Sequence, residues 1–170
     1  MVLNSKTKKE RKMEKKQDHN LCFMACMTLP GISGGLLAGS HVYMSFIVGQ
    51  VMKTSEKGLP LMQTIGNASK RYNGVMAVLA MGSSLGSAAA TQDMRWLLPS
   101  VLYFLGWPIT SYFLAPINKQ LRGASPVNTA AAPQRLARWT RYARLRAATH
   151  TLGFVTSTLL LVFASSSPLQ

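Results

Sequence analysis

Residues 147–166 of the chain read AATHTLGFVTSTLLLVFASS, twenty positions without one Lys, Arg, Asp or Glu. Three further stretches, 19–52, 72–92 and 96–118, are equally free of formal charge. Each is long enough to cross a bilayer, which takes about 20 mostly apolar residues in a helix. A helix of a water-soluble domain would instead carry charged side chains along its outer face. The pattern predicts an all-α, four-helix transmembrane bundle.

The acidic residues are few and lie in the wrong places for carboxylate chemistry. Hydrophobic residues make up 48% of the 170 positions, and the net charge of +14 comes from 19 Lys and Arg against five acids. Those five, Glu10, Glu14, Asp18, Glu56 and Asp93, all fall outside the uncharged stretches. A two-carboxylate hydrolase and a di-iron carboxylate oxidase are therefore excluded.

No metal site is expected either. The two cysteines, Cys22 and Cys26, are spaced C-x-x-x-C, which is neither a zinc ligand set nor a redox pair, and we interpret them as packing residues. His41 and His150 could together ligate a haem, but two histidines are a weak pattern for one.

The chain divides into a basic polar tail, 1–19, and a single membrane domain, 20–170. Seven Lys or Arg without interleaved aromatics predict that the tail contacts anionic lipid and not nucleic acid. Membrane protein partners are also possible for it. The tail matches neither a secretory signal nor a presequence, since it is rich in Lys and carries acids. The endoplasmic reticulum and the mitochondrial inner membrane are the two expected locations.

The predicted helices are 31–52, 72–91, 96–118 and 135–165, the third kinked at Pro108. Residues 21–29 either lie at the interface or extend the first helix through Pro30. Turns are predicted at 58–60 and 66–69, and a flexible loop at 119–133. Basic residues number eight on one side of the membrane and eleven on the other, so the positive-inside rule does not decide the orientation.

Small residues recur every fourth position on two of the helices, which predicts close helix packing there. They are Gly31, Gly35 and Gly39 on the first helix and Gly82 and Gly86 on the second.

The predicted fourth helix is basic where it lies at the surface, at 135–146, and apolar where it crosses, at 147–165. Three ionisable residues lie inside or at the entry of the apolar parts of the spans, where such residues are functional candidates by default. His41 lies in the middle of the first helix, and Arg146 and His150 lie one turn apart on the fourth. Each also has a structural alternative. The histidines could bond neighbouring backbone, Arg146 could reach the lipid headgroups, and Thr110 could cap carbonyls that Pro108 leaves free.

The motifs of the third and fourth helices resemble a known family. WPIT at 107–110, APINKQL at 115–121, and Trp139 with Arg146 seven residues later are similar to the anthrone oxygenase-like family of small four-helix membrane proteins. The resemblance implies oxidation of a polycyclic phenol by dioxygen without a cofactor.

With that chemistry, His41 or His150 would be the catalytic base. Thr110, Asn118 and Arg146 would donate to the substrate oxygen, and Trp107, Tyr112 and Trp139 would form the pocket walls. The alternative is a non-catalytic membrane subunit or assembly module of a larger complex, with the mitochondrion as one candidate location. A transporter is less favoured, because no carboxylate lies within the spans. A cavity joining His41, Asn118 and Arg146 would separate the enzyme from the subunit.

Overall fold

The computed structural model describes residues 8–54, 58–122 and 132–166, and within these ranges it contains helices and no strand. The helices are α1 Lys8–Val42, α2 Gly49–Thr54, α3 Gly58–Thr91, α4 Leu97–Pro108, α5 Ala115–Arg122 and α6 Ala132–Ser166. A π-helical segment, Tyr43–Val48, joins α1 to α2, and a second one, Ile109–Leu114, joins α4 to α5. A short 3-10 turn, Met94–Trp96, precedes α4.

Four helical rods result, and all four are long and apolar enough to span a membrane. The candidate spans are Met27–Val51, Asn67–Thr91, Met94–Leu121 and Gln134–Ala164. Only 22–44% of the residues in their most apolar windows are buried inside the bundle, so most of the apolar surface faces outward. Such a surface is unfavourable in water and favourable in lipid. The predicted four-helix transmembrane bundle is confirmed, and the protein is an integral membrane protein.

The rods alternate in direction and enclose a central space. Rod one, which contains α1, packs against α3 and α6, and α4 packs against the same two helices. The order around the bundle is therefore α1, α3, α4, α6. Residues 51, 67, 121 and 134 end the spans on one side of the membrane, and we call this side the basic end because the fourth rod brings its arginines there.

Several helix boundaries differ from the sequence-based prediction. Helix α1 runs through Pro30 without a break, and α3 begins at Gly58, so the turns predicted at 58–60 and 66–69 are wrong. Pro60 is tolerated because the first turn of a helix has no partner for its N–H groups. The third helical rod continues through α5 to Arg122, into the loop predicted at 119–133. Residues 123–131 of that loop lie outside the described part. The helical backbone begins at Lys8, within the predicted tail, whose residues 1–7 lie outside that part as well.

A tight turn joins α3 to α4 on the side of the membrane opposite the basic end. Gln92 adopts a positive φ of 54°, and the Asp93 carboxylate accepts hydrogen bonds from the Arg95 backbone N–H at 3.0 Å and its side-chain Nε at 2.9 Å. The Arg95 side chain holds the pKa of the Asp93 carboxyl below its usual value. This turn makes α3 and α4 antiparallel neighbours.

The closest helix approaches surround the buried Tyr103 ring, and they differ from the predicted glycine stripes. A Cβ placed on Gly34 would run into the Tyr103 hydroxyl, and one on Gly153 would lie 2.8 Å from its ring. By contrast, no heavy atom lies within 4 Å of a Cβ built at four of the stripe positions, Gly31, Gly39, Gly82 and Gly86. The remaining one, Gly35, faces the Phe154 ring at 3.0 Å. Packing is thus tight where an aromatic side chain crosses the bundle.

Replacing Gly34 by alanine is expected to destabilise the protein by about 1–3 kcal/mol, the usual effect of overpacking a filled core. Tyr103 has little room to move, because its hydroxyl lies 3.4 Å from the Pro30 carbonyl and 3.3 Å from the Ser157 hydroxyl. The matched control is Gly31→Ala, three residues earlier on the same helix with open space at its Cβ. Thermal unfolding in detergent should show a lower midpoint for Gly34→Ala alone, and equal midpoints would contradict the packing described.

Candidate functional site

A cavity of about 660 Å³ lies between the four helices and extends from mid-bilayer toward the basic end. Its volume is within the ~300–1,000 Å³ typical of small-molecule sites. The residues at its deep end are His41, Met81, Tyr103, Gly106, Arg146 and His150, and those nearer the surface include Ser69, Lys70, Asn118, Lys119 and Trp139. Every charged residue among the lining positions is basic. The cavity is therefore suited to a ligand that is apolar in bulk and carries a negative or partly negative oxygen.

The two predicted histidines meet at the deep end, each with only 3% of its surface exposed. Their Nδ1 atoms lie 2.7 Å apart, and His150 Nε2 lies 3.3 Å from the Tyr103 carbonyl oxygen. Because a carbonyl only accepts, His150 carries its hydrogen on Nε2 and has a lone pair on Nδ1. His41 must then donate from Nδ1, which leaves a lone pair on His41 Nε2. The pair thus orients one ring nitrogen of His41 as a proton acceptor.

Gly106 makes room for this histidine pair. A Cβ on Gly106 would run into the His150 ring, so any larger residue would displace the ring from its contact with His41. Neither Gly106 nor Tyr103 was predicted as a site residue. Gly106 lies one helical turn before Thr110 of the WPIT sequence, and this small residue was the available signal.

Arg146 points inward and contacts Thr110 on the neighbouring helix. Its Nη1 donates to the Thr110 hydroxyl oxygen at 3.1 Å, while that hydroxyl donates to the Gly106 carbonyl at 2.7 Å. Proline at 108 supplies no N–H to the preceding turn, and the helix continues from Ile109 with π-helical geometry. Thr110 therefore bonds a backbone carbonyl and also contacts the site, but this carbonyl belongs to Gly106 and not to Phe104, four residues before Pro108, whose carbonyl the proline leaves free.

The Arg146 guanidinium has no acidic partner in the described residues. Arg95 and Asp93 form the ion pair found there, and they lie across the membrane from the basic end. Arg146 Nε is buried and has no hydrogen-bond acceptor. A charged donor that lacks an acceptor in an apolar cavity is costly unless a ligand supplies one. Arg146 is accordingly the strongest candidate for binding an anionic oxygen.

Trp139 and Asn118 form the next layer toward the basic end. The indole Nε1 of Trp139 donates to Asn118 Oδ1 at 2.9 Å. An indole N–H can only donate, so the amide oxygen must face it and the amide N–H₂ group is left to donate elsewhere. Because Asn118 lines the cavity, its amide N–H₂ group is a second donor there, one layer nearer to the basic end than Arg146.

Seven of the eight residues predicted for catalysis or substrate binding line this one cavity. They are His41, Trp107, Thr110, Asn118, Trp139, Arg146 and His150. Tyr112 does not, since its side chain is 76% exposed and faces outward. The reason is helical geometry, since Thr110 faces the cavity and a residue two positions later lies about 200° around the helix axis.

Fold and cavity define a class, namely a four-helix integral membrane protein with a basic, largely apolar ligand site at membrane depth. A model of the anthrone oxygenase family matches residues 62–156, which is more than half of the chain and covers all these site residues except His41. The chain belongs to the anthrone oxygenase family. No curated protein matches the sequence. No solved structure matches it either.

Proposed function

We propose that the protein oxidises a polycyclic phenol of the anthrone type with dioxygen, using the cavity as its active site. The observation that supports this most strongly is the cavity itself. Inside an apolar bundle it brings together a histidine lone pair and an arginine whose Nε has no acceptor among the described residues. A structural subunit has no need of such a space. Membership of the anthrone oxygenase family supports the same chemistry.

The first step removes a proton from the methylene carbon of the anthrone. His41 Nε2 accepts the proton, because His150 orients the His41 ring through the Nδ1 contact. The electron pair of the broken C–H bond delocalises onto the ketone oxygen. Arg146 donates a hydrogen bond to that oxygen and stabilises the developing negative charge, which a preorganised site does well. Asn118, one layer nearer to the basic end, is a donor for a second oxygen of the substrate.

The second step transfers electrons from this anion to dioxygen. One electron passes to dioxygen, and the resulting superoxide and carbon radical combine at the former methylene carbon. The new peroxide takes up the proton from His41 and becomes a hydroperoxide. His41 then accepts the second C–H proton, the electron pair of that bond forms the C=O bond, and the O–O bond breaks to release hydroxide. The hydroxide takes the proton from His41 and leaves as water, so a ketone remains. In total the methylene group and one dioxygen give one carbonyl and one water, so the substrate is the reductant.

The arginines of α6 other than Arg146 have a different proposed role. Arg138, Arg141 and Arg144 are exposed, and Arg144 lies 4.8 Å from the centre of the Phe46 ring. We assign these side chains to anionic lipid at the basic end.

The proposed reaction is tested with purified protein in lipid nanodiscs and dithranol, a dihydroxyanthrone, in the presence of a metal chelator. We expect dioxygen to be consumed and danthron, the corresponding anthraquinone, to form in equal amounts. The rate should be proportional to the protein concentration. A rate no faster than in empty nanodiscs would contradict the proposed function.

A further inference from the structure

The cavity is open along one side, between α3 and the α4–α5 rod. Three of its lining residues, Val78, Phe104 and Trp107, are 63%, 49% and 67% exposed. A side chain enclosed in a sealed cavity would be largely shielded, so these residues form the rim of an opening. We call this opening the α3–α4 slot, and its edges are Lys70, Gly74 and Val78 on α3 and Phe104, Trp107 and Lys119 on the opposite rod.

The slot is a gap between packed helices, and it ends on the side that lies away from the basic end. The Ser100 hydroxyl donates to the Met81 carbonyl at 3.3 Å, so α3 and α4 are in contact about one turn beyond Val78, away from the basic end. On the basic-end side of that contact, no heavy atom of the described residues lies within 4 Å of a Cβ built on Gly74, so the space beside Gly74 is open. On the opposite edge Phe104 and Trp107 pack edge to face with their centroids 6.3 Å apart.

The depth of the slot determines which medium it opens to. Lys70 lies three residues inside the span Asn67–Thr91, and Val78 lies eleven residues inside it. At 1.5 Å per residue, Val78 is about 16 Å deep, roughly half the ~30 Å hydrocarbon thickness. Lys70 and Lys119 therefore mark the headgroup end, while the greater length of the slot faces acyl chains.

We propose that the α3–α4 slot is a lateral portal through which a flat, neutral polycyclic phenol passes from the bilayer into the cavity. This rests on the proposed function, since it specifies the substrate as the membrane-dissolved, uncharged form. A planar ring system fits a slot edgewise, and an uncharged molecule crosses the apolar rim at Val78 and Trp107 without the cost of moving an ion. Negative charge then develops only beside Arg146, at the deep end of the cavity.

The test uses danthron, which binds without being oxidised, in proteoliposomes of neutral phospholipid. Trp139 lines the cavity and is 3% exposed, so quenching of its fluorescence, measured with Trp96 and Trp107 replaced by Phe, reports occupancy of the cavity. At equal aqueous concentrations, danthron should associate much faster than a sulfonated anthraquinone that stays in water, because the portal samples only molecules dissolved in the bilayer. Equal association rates for the two compounds would overturn the portal.

Variants of two exposed glycines on α3 provide the matched comparison. Gly74→Leu fills the slot and should slow both association and release about tenfold, which corresponds to a barrier higher by about 1.4 kcal/mol. Gly82→Leu, on the same helix with equally open space but outside the cavity lining, should leave both rates unchanged. Val78→Trp should reproduce the Gly74→Leu effect from a second position. Unchanged rates in Gly74→Leu and Val78→Trp would overturn the portal, as would equal slowing by Gly82→Leu.

These outcomes separate the portal from the proposed function. Danthron binding that is no faster than binding of the sulfonate and is independent of Gly74 would overturn the portal alone. Absence of any danthron binding to the wild-type protein would overturn both. Danthron binding that Gly74→Leu slows, without dithranol oxidation, would support the portal and contradict the catalytic proposal.

Discussion

Replacing His41 by glutamine is expected to lower kcat for dithranol oxidation by about 10²–10⁴-fold, the usual contribution of a general base. Glutamine keeps hydrogen-bonding atoms in the cavity but cannot accept the methylene proton. Danthron should still bind, because the Arg146 and Asn118 donors remain. Dioxygen uptake and fluorescence quenching, measured on the same nanodisc sample, give the two quantities.

The control for this variant is Ser33→Ala. Ser33 is a buried polar residue of α1 two turns before His41, and its hydroxyl donates to the Leu29 carbonyl outside the cavity lining. It should retain the wild-type kcat. If His41→Gln also retains it, the base has been misassigned, and a corresponding loss in His150→Gln alone would assign proton transfer to His150.

Replacing Arg146 by methionine is expected to reduce kcat/KM by about 10²–10³-fold, the loss measured when a donor to an oxyanion is removed. Methionine keeps an unbranched apolar side chain, so the cavity wall is largely preserved. The same variant should be as stable as the wild type or more stable, because it removes a buried charge without an acidic partner. Loss of function with unchanged or higher stability is the result that distinguishes a ligand-binding arginine from a structural one.

Arg138→Met provides the comparison on the same helix. Arg138 is exposed and does not line the cavity, so kcat/KM for dithranol should stay within twofold of wild type, well below the effect of a lost oxyanion donor. Thermal unfolding and steady-state kinetics are measured on both variants. A large drop in the unfolding midpoint of Arg146→Met, with normal turnover by the remaining folded protein, would indicate a structural role for Arg146.

The membrane spans could be read from the sequence with good accuracy. Charge-free stretches follow directly from the cost of placing ions in lipid, so the predicted span 96–118 differs from the observed Met94–Leu121 by only a few residues. Helix ends outside the hydrocarbon were less predictable. Residues 66–69 carry turn-forming residue types, yet they belong to α3, because tertiary context overrides local propensity.

The composition of the site was also largely visible in the sequence, but its geometry was not. His41, Arg146 and His150 were identified because ionisable residues are rare at membrane depth. The direct contact between the two histidines depends on Gly106 and on the packing of helices distant in sequence. Tyr112 was placed in the pocket wall as an aromatic residue close to the WPIT sequence, but two positions after Thr110 it lies on the opposite face of the helix.

The central claim is that a polycyclic phenol binds in this cavity with its oxygen at Arg146 and its reactive carbon at His41. A structure of the purified protein with danthron bound, obtained with a rigid antibody fragment as a marker, measures this directly. We predict that the ring system fills the space between the four helices, with one carbonyl oxygen within hydrogen-bond distance of the Arg146 guanidinium and the opposite carbonyl carbon facing His41 Nε2. Danthron located on the outer surface, or an empty cavity with Arg146 directed at the lipid, would contradict the account.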